Sequence, residues 1–388
     1  MIQEVDKKIF PQGFLWWSAT SSYQVEGGIE NNDWAEAARK GKIPAAGKAC
    51  DSYNLYEEDF DFAKSLGQNT HRLSIEWSRI EPEEGKFNNA EVEHYRQVLL
   101  ALKNRGLEPF VTIWHFALPL WFSNIGGFEN KKAPFYFSRY CEYVADRLGD
   151  LTNFLITINE PMVYVGQSYA HGIWPPFKRS FIKVLRVVDN LIESHNVAYK
   201  KIKKVKPNIN IGIAADQVLY IYNKNPFNIV LSMILNWYRN RRFLSKIAQD
   251  FIGVNYYRPI QYGSKINFQK SDMDWDIYPQ GIHKVLNQIK RYKRPIYITE
   301  NGIADSSDTR RAKFIEDHLY WVWCAIQEGV DIRGYFYWSL LDNLELAEGF
   351  KYRFGLIEVD YNNMRRTVRQ SAHVYKNICI SNSLIPSD

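Results

Sequence analysis

Short hydrophobic segments recur along the chain and suggest β-strands. They are rich in aromatic and β-branched residues and end at polar or turn-forming residues. Eight such segments cover residues 14–19, 70–77, 109–115, 154–159, 209–214, 251–256, 295–299 and 333–339. The stretches between them, such as residues 91–105 and 311–327, have helical spacing or composition. Pro207 is predicted to end a helix that begins near Ser180.

Eight strands alternating with helices predict an α/β protein folded as a single (β/α)8 TIM barrel. We expect residues 1–388 to form one domain, because no low-complexity linker or change in composition divides the chain. A doubly wound sheet shows the same alternation, but a glycine-rich phosphate loop follows its first strand. Here residues 20–24, TSSYQ, stand in that place, which favours the barrel.

The composition of the chain indicates the size of its core and the cellular compartment in which we expect it. Hydrophobic residues make up 46% of the chain and aromatic residues 15%, enough for a large core and for clefts with flat walls. The four cysteines form no Cys-x-x-Cys pair, so neither a disulfide framework nor a zinc site is expected. The N-terminus is charged where a signal peptide is apolar, and the apolar run at residues 229–235 is too short to span a bilayer. We therefore expect a cytoplasmic protein without an obligate membrane anchor.

The formal net charge of +6 comes largely from local basic clusters. These lie at residues 200–204, 239–242 and 290–294, each near the end of a predicted helix, where cations are favoured. No nucleic-acid-binding motif accompanies them, so we interpret them as solvated helix ends and expect no nucleic-acid partner. Homo-oligomerisation is left open.

Polar side chains follow the predicted strands at their C-terminal ends, where a TIM barrel carries its functional groups. They are Gln24, Glu26, Arg72, Glu76, Arg79, His115, Asn159, Glu160, Asp216, Asn255, Tyr257, Glu300, Trp338, Asp342 and Glu345. Glu160 and Glu300 end strands four and seven, so we expect them to face each other across the barrel mouth. The alternative for Glu300 is a plain turn, because Asn-Gly follows it directly. Asp216 is left undecided, and Glu76 has the alternative of pairing with a nearby arginine.

Two opposed carboxylates suit glycoside hydrolysis. One must be protonated to donate to the leaving oxygen, and the other must be ionised to attack the anomeric carbon or to activate water. A gap of about 5–5.5 Å means retention and one of about 6.5–9.5 Å means inversion, and the sequence leaves both open. None of the eight histidines has a metal-binding spacing and no Gly-x-Ser-x-Gly motif occurs, so we expect neither a metal nor a cofactor.

Six motifs in a fixed order carry a resemblance that covers nearly the whole chain. They are FLWWSATSSYQVEG (residues 14–27), RLSIEWSR (72–79), ITINEP (156–161), ITENG (298–302), WSLLDN (338–343) and RFGL (353–356). Together they resemble glycoside hydrolase family 1, the family of β-glucosidases and β-galactosidases. The segments KAC (48–50) and YFYWS (335–339) are similar to archaeal β-glycosidases and β-mannosidases.

The resemblance implies roles for individual residues. Glu300 would be the nucleophile and Glu160 the acid/base of a retaining double displacement, with Arg72 and Tyr257 holding Glu300 ionised. The resemblance also implies that Asn159 binds the sugar 2-hydroxyl and that Asn255 supports the site. The other substrate-binding residues implied are Gln24 and His115 at the 3- and 4-hydroxyls, Glu345 at the 4- and 6-hydroxyls, Trp338 as a stacking floor, and Phe354.

The chain also departs from the family pattern. Leu346 stands where the family usually has a Trp that donates to the sugar, and Phe116 follows His115 in place of another Trp. The stretch from residue 216 to 250 and the loop after Gly302 are shorter than in most members, so we expect an open aglycone side with broad tolerance. Glu345 argues against 6-phosphorylated sugars, because a carboxylate there would repel the phosphate.

The sequence thus predicts a retaining exo-β-glycosidase that hydrolyses small β-glucosides or β-galactosides, with β-mannosides and β-fucosides as further candidates. Small-molecule β-glycosides are the expected partners. Two alternatives stay open at this point: a catalytically weak sugar-binding barrel, and an enzyme that mainly transfers sugar to alcohols. His195 and His318 are interpreted as structural helix residues.

Overall fold

The computed structural model describes residues 7–384, in which eight parallel strands close into a barrel. The strands are β1 Leu15–Ala19, β2 Thr70–Ser74, β3 Glu108–Trp114, β4 Phe154–Asn159, β5 Asn210–Asp216, β6 Ile252–Asn255, β7 Ile296–Asn301 and β8 Ile332–Trp338. Each pairs with its neighbour in chain order, and β8 pairs with β1 to close the ring. The predicted (β/α)8 barrel is confirmed. The largest boundary error is at β2, which ends at Ser74 because the helical turn Trp77–Ile80 follows.

One long helix follows each strand and packs on the outside of the barrel. These helices are α1 Ser52–Ser65, α2 Asn89–Asn104, α3 Ala133–Leu148, α4 Phe181–Val205, α5 Pro226–Asn236, α6 Gln280–Ile289, α7 Arg311–Gln327 and α8 Gln370–Ser381. Shorter helices at Ser22–Val25, Asp33–Arg39, Leu120–Asn124 and Pro161–Val165 lie in the connections, and a π-helical turn at Trp237–Arg241 continues α5. Within residues 7–384, no helix is both long and apolar enough to cross a bilayer.

Local signals explain where these helices begin and end. The side chain of Asn88 accepts hydrogen bonds from the amides of Ala90 and Glu91, which caps α2 at its N-terminus. Helix α4 ends at Val205, two residues before Pro207, as the sequence predicts. Helix α7 has the predicted bounds, residues 311–327.

Aromatic side chains fill the barrel interior. The ring of Phe110 lies 5.0–5.5 Å, centroid to centroid, from the rings of Trp17, Phe251, Tyr297 and Phe336. All five residues are buried. Because this packed layer occupies the barrel interior, the polar side chains near the C-terminal strand ends can converge only on the mouth above it.

Two short parallel strands extend one side of the barrel beyond β5 and β6. The strand Leu219–Tyr222 pairs with Pro259–Tyr262, and each follows its barrel strand within a few residues. The sequence pattern did not predict this pair. It matters for the site because Ile260 of this pair and the neighbouring Val218 line the mouth of the barrel.

Candidate active site

A cleft of about 1220 Å³ opens at the C-terminal ends of the barrel strands. Eight of the eleven predicted site residues line it: Gln24, His115, Glu160, Tyr257, Glu300, Trp338, Glu345 and Phe354. The other three, Arg72, Asn159 and Asn255, are fully buried directly behind the cleft. The structure therefore brings together side chains that the sequence spreads over more than 300 positions.

Glu300 is the next-to-last residue of β7, and both of its carboxylate oxygens have donors. Arg72 Nη1 lies 2.5 Å from Oε1, and the hydroxyl of Tyr257 donates to Oε2 at 2.7 Å. The carboxylate is 3% exposed, so these are buried, charge-assisted contacts. They stabilise the ionised form of this carboxyl group.

The Asn-Gly pair after Glu300 is not a hairpin turn. Asn301 is still part of β7, and its side chain donates to the carbonyl of Tyr256, directly after β6, and accepts from the hydroxyl of Tyr335 on β8. A Cβ on Gly302 would lie 1.8 Å from the carbonyl oxygen of Trp338. Only glycine permits this close approach of backbones, which sets the end of β7 beside the end of β8.

Glu160 projects from the end of β4 with a backbone that is unusual for a glutamate. Its φ of 44° lies in the left-handed region, and its amide donates to the carbonyl of Ala214 on β5 at 2.7 Å. Asn255 Nδ2 donates to the carboxylate at 2.9 Å. The residue then begins the short helix Pro161–Val165, so the strained position turns the side chain into the cleft where the chain leaves the strand.

The two carboxyl groups have different electrostatic surroundings. Burial raises the pKa of Glu160 well above its usual value, and the charges of Glu300 and Asp216 raise that pKa further. Burial also raises the pKa of Glu300, but Arg72 and the Tyr257 hydroxyl oppose this rise. Of the two groups, Glu300 is therefore the one that ionises first, and Glu160 is the one that keeps its proton.

Behind the cleft, a hydrogen-bond network fixes the two carboxylates relative to each other. Arg72 donates to Thr112 Oγ1 and the Thr299 carbonyl as well as to Glu300, and its Nη2 donates to Asn159 Oδ1 at 2.7 Å. Thr299 Oγ1 in turn donates to Asn255 at 2.6 Å. Every member is buried, so each lost partner would leave an unsatisfied group.

One wall of the cleft carries groups suited to a polyhydroxylated ring. Gln24 is oriented by the hydroxyl of Ser21 at 2.6 Å and by the Leu344 carbonyl at 2.7 Å. The rings of His115 and Trp338 lie nearly parallel, 5.9 Å apart. Burial and the Arg72 charge hold the pKa of His115 well below its usual value, so this imidazole is neutral. Burial, reinforced by Glu300, raises the pKa of Glu345 to about 8.

The outer part of the cleft is largely apolar. Ile173, Val218, Ile260, Met273, Trp275 and Leu346 line it. Charged residues in the cleft lining include an ion pair of Asp216 with Arg239, 2.5 Å apart, Arg258, whose guanidinium lies 5.0 Å from the ring centre of Trp275, and Glu348. Asp216, undecided from sequence, is thus part of the cleft wall.

Several of these outer residues were not predicted from the sequence. Arg239 was interpreted as part of a solvated basic cluster, and this was wrong, because the π-helical turn after α5 directs Arg239 to Asp216. Arg258 and Trp275 lie in the connection after β6, where no motif marks them. The one available signal was their place after a barrel strand, which holds for many residues.

Some polar residues near the strand ends point away from the cleft. Glu26 pairs with Arg79 and accepts from Tyr95, and Glu76 accepts from the hydroxyls of Ser22 and Ser78 instead of from an arginine. Asp342 pairs with Arg369. These residues join loops to the barrel.

His195 and His318 have structural contacts, as predicted. His195 is hydrogen-bonded through its two ring nitrogens to Thr157 Oγ1 and to the Ala248 carbonyl, both at 2.6 Å. His318 is bonded to the Phe314 carbonyl one helical turn earlier. Within residues 7–384, no group of three His, Cys, Asp or Glu side chains is arranged to hold a metal ion.

Comparison with known proteins gives one consistent picture. The model of glycosyl hydrolase family 1 matches residues 6–230 and 230–384. The chain is 32% identical to β-glucosidase A of Thermotoga maritima over 97% of this chain and 99% of that protein, and 31% identical to a β-galactosidase of Sulfolobus acidocaldarius over 97% and 96%. The solved structure of a β-glycosidase from Pyrococcus horikoshii superposes with a TM-score of 0.93 at 39% identity, covering 97% of this chain and 96% of that one.

Proposed function

Because the chain belongs to glycosyl hydrolase family 1, we propose that it is a retaining exo-β-glycosidase with Glu300 as nucleophile and Glu160 as acid/base. Its class as a glycoside hydrolase follows from the family, and its relatives are named β-glucosidase and β-galactosidase. The proposed substrates are small β-glucosides and β-galactosides, with β-mannosides and β-fucosides as further candidates. The observation that carries the assignment of roles is the asymmetry of the two carboxyl groups, since only Glu300 has a guanidinium and a phenol as donors.

In the first half of the proposed reaction, a carboxylate oxygen of Glu300 attacks the anomeric carbon. The bond between this carbon and the glycosidic oxygen breaks, and Glu160 gives its proton to the departing oxygen. The raised pKa of Glu160 supports this role, because the group must hold a proton at a pH where Glu300 is ionised. The product of this half is a glycosyl ester of Glu300 and a free alcohol.

In the second half, water attacks the anomeric carbon of the ester and Glu160 takes the proton from that water. Loss of negative charge on Glu300 in the ester lowers the pKa of Glu160, because the charge that raised it has gone. The same residue therefore changes from acid to base without moving. Two inversions at one carbon return the β-configuration.

Binding of the sugar is assigned to the inner end of the cleft. Gln24 and His115 are proposed to bind the 3- and 4-hydroxyls and Glu345 the 4- and 6-hydroxyls, with Trp338 beneath the ring and Phe354 beside it. The buried Asn159 is proposed to reach the 2-hydroxyl from behind. The packed aromatic interior of the barrel closes this end of the cleft, so a sugar chain could not pass through it. The enzyme would therefore bind only the terminal sugar of a substrate, which is exo action.

Azide rescue of two alanine variants tests the assignment of roles. With an activated aryl β-glucoside, Glu160→Ala should form the β-glycosyl azide, because azide enters where the base would deliver water. Glu300→Ala should form the α-glycosyl azide, because azide replaces the nucleophile in a single inversion. Anomeric configuration is read by NMR. Exchanged configurations would contradict the roles, and an inverted product from the wild-type enzyme would contradict retention.

Substrate turnover separates the proposal from the two alternatives. The wild-type enzyme is assayed on aryl β-glucoside, β-galactoside, β-mannoside and β-fucoside, with Glu300→Gln as the inactive control. Turnover of none of these, with sugar still bound, would favour the sugar-binding barrel. Products that carry added alcohol in larger amounts than free sugar would identify a mainly transglycosylating enzyme, an outcome that the open mouth allows.

A further inference from the structure

Arg258 places a cation on the outer wall of the cleft. It is exposed in the cleft lining and directly follows Tyr257, whose hydroxyl donates to Glu300. Within residues 7–384, its guanidinium forms no ion pair and no hydrogen bond, and its contact is with the face of Trp275. An arginine in a cleft whose N–H donors have no acceptor is suited to bind an anionic group of a ligand.

The carboxylates that act on Arg258 at longer range have other partners. These carboxylates are Asp216, Asp274 and Asp276. Asp216 pairs with Arg239 at 2.5 Å. The two others lie 3.8 and 2.7 Å from the ammonium group of Lys270. The charge of Arg258 is therefore not neutralised at close range by the protein itself.

Two guanidinium groups share this part of the wall with one carboxylate. The protein atoms around Arg258, and next the charge of Arg239, lower the pKa of Arg258, which still remains a cation at neutral pH. Asp216 neutralises only Arg239. Glu348 adds a negative charge to the cleft lining, but it follows β8 and is not among the main charges that act on Arg258. An anion bound at Arg258 would reduce the repulsion between the two guanidinium groups.

Trp275 holds the guanidinium of Arg258 next to the proposed reaction centre. The guanidinium lies 5.0 Å from the centre of the Trp275 ring. The centre of the same ring lies 5.7 Å from that of Tyr257 and 6.2 Å from that of Phe354, both of which line the cleft. A cation that contacts the face of a ring keeps its N–H donors available, because this contact forms no N–H···O bond.

Apolar side chains lie beside Arg258 in the cleft. Pro259 restricts Arg258 to an extended backbone, and Ile260, two positions further on, also lines the cleft. In an extended chain, side chains two positions apart point to the same face and are separated by about 7 Å. Val218 and Met273 line the outer cleft as well. An occupant of this wall therefore needs an apolar body with an anionic group at its edge.

The inner carboxyl groups leave room for such an anion. The charge of Glu300 is paired with Arg72 at 2.5 Å, and Glu160 keeps its proton because burial and the charge of Glu300 raise its pKa. In the proposed reaction, the aglycone extends from the leaving oxygen towards the outer end of the cleft. Its anionic group would therefore lie closer to Arg258 than to the reacting carboxyl groups.

We propose that Arg258 selects β-glycosides whose aglycone is an aromatic carboxylic acid, by accepting the carboxylate on two of its N–H donors. This inference rests on the proposed function, because it assigns a substrate class to the same cleft. A planar guanidinium matches a planar carboxylate in a contact of two parallel bonds. The apolar wall makes little demand on the shape of the aromatic body, so the preference for charge is added to the tolerance of shape.

Two substrates that differ in charge and hardly in shape test the inference. They are the β-glucosides joined through the phenolic oxygen of 4-hydroxycinnamate and of 4-hydroxycinnamamide. The quantity measured is the ratio of their kcat/KM values, acid over amide. Arg258→Gln should lower this ratio by about tenfold or more, because the carboxylate loses its charge-assisted bonds. Arg258→Lys keeps the charge but not the planar fork, so its ratio should lie between those of the wild type and Arg258→Gln.

The matched control removes the same type of side chain at the other end of the barrel. Arg294 is exposed and precedes β7, so Arg294→Gln should leave the ratio within about twofold of the wild-type value. Because ratios are compared between variants, the difference between the two leaving groups cancels. Hydrolysis of the amide substrate shows that each variant is folded.

The outcomes separate this inference from the proposed function. An unchanged ratio in Arg258→Gln, or an equal fall in Arg294→Gln, would overturn the inference while the hydrolysis itself still supported the proposed function. A wild-type enzyme that hydrolyses neither of the two glucosides nor 4-nitrophenyl β-glucoside would overturn both.

Discussion

The inner and outer ends of the cleft are built on different principles. At the inner end, Arg72, Asn159 and Asn255 are fully buried and join Glu160 and Glu300 in one hydrogen-bond network. At the outer end the wall is mostly aliphatic or aromatic, and its principal polar element is the ion pair of Asp216 with Arg239. The fully buried residues behind the inner end, and Glu300 itself, are on barrel strands, whereas much of the outer end comes from the connections that follow the strands.

This difference has a physical consequence for selectivity. Buried hydrogen bonds are directional and costly to leave unpaired, so the proposed sugar site at the inner end should reject a misplaced hydroxyl. Apolar contacts are non-directional and scale with the area buried, so many aglycones of similar size can occupy the outer end. We therefore expect strict recognition of the sugar and tolerance of the aglycone. Kinetics that depend on one particular aglycone would contradict this contrast.

The largest expected effect is the difference between removing a carboxylate at the inner end of the cleft and removing one at the outer end. Glu300→Gln should lower kcat by at least about 10⁴-fold, because the nucleophile is lost while the size of the side chain is kept. Asp216→Asn, the matched change at the outer end, should lower kcat/KM by less than about tenfold, since this group is assigned no bond to a reacting atom. Steady-state kinetics on one aryl β-glucoside compare the two. Similar losses would mean that the chemistry is not confined to the inner end.

The pH dependence of kcat/KM tests the proposed difference in pKa between Glu160 and Glu300. In the proposed mechanism Glu300 acts when ionised, so activity should fall as the pH drops through its pKa. Glu160 is proposed to act as acid when protonated, so activity should fall about tenfold per pH unit above its pKa, which lies well above the usual value for Glu. With a leaving group that needs no proton, the pH profile of kcat/KM for Glu160→Gln should lack only its alkaline limb, the fall in activity at high pH. An unchanged alkaline limb in this variant would assign it to another group.

Leu346 is in the cleft wall and follows Glu345 in the chain, and its replacement tests sugar recognition. Leu346→Trp adds an indole N–H donor, worth about 0.5–1.5 kcal/mol, or about 2–12-fold in kcat/KM for glucosides and galactosides. Leu346→Phe is the control, because it adds an aromatic ring without a donor. Rates on the four aryl glycosides are compared for both variants. If the wild type, Leu346→Phe and Leu346→Trp show the same relative rates on the four aryl glycosides, this position does not select the sugar.

The smallest expected effect concerns the apolar outer wall. Ile260→Ser should raise KM a few-fold for alkyl β-glucosides with long chains and leave KM for methyl β-glucoside nearly unchanged, because only the long chain contacts the lost surface. The ratio of the two KM values isolates the aglycone contribution. A parallel rise in both would mean that Ile260 acts on the sugar or on folding.

Sequence and structure contributed differently at the two ends. Seven of the eleven inner residues were predicted from short motifs, and His115, Asn255, Tyr257 and Glu345 from their places after barrel strands, whose C-terminal ends converge whatever the loops do. Arg239 was misassigned and Trp275 missed, because their positions depend on a π-helical turn and on a long connection that no motif encodes. Glu26, Glu76 and Asp342 follow strands as well, but local partners turn them away from the cleft.

By itself, the sequence determined the closed barrel, its membership of the family and the residues that we propose to surround the reacting carbon. These follow from periodicity and motifs, which are local properties of the chain. Tertiary structure alone decided which carboxyl group keeps its proton, since the pKa values depend on burial and on neighbours distant in sequence. It also decided that Phe227, Val230 and Met233 of α5 point outwards, because hydrophobic spacing defines a face but only packing determines which side of the helix is buried.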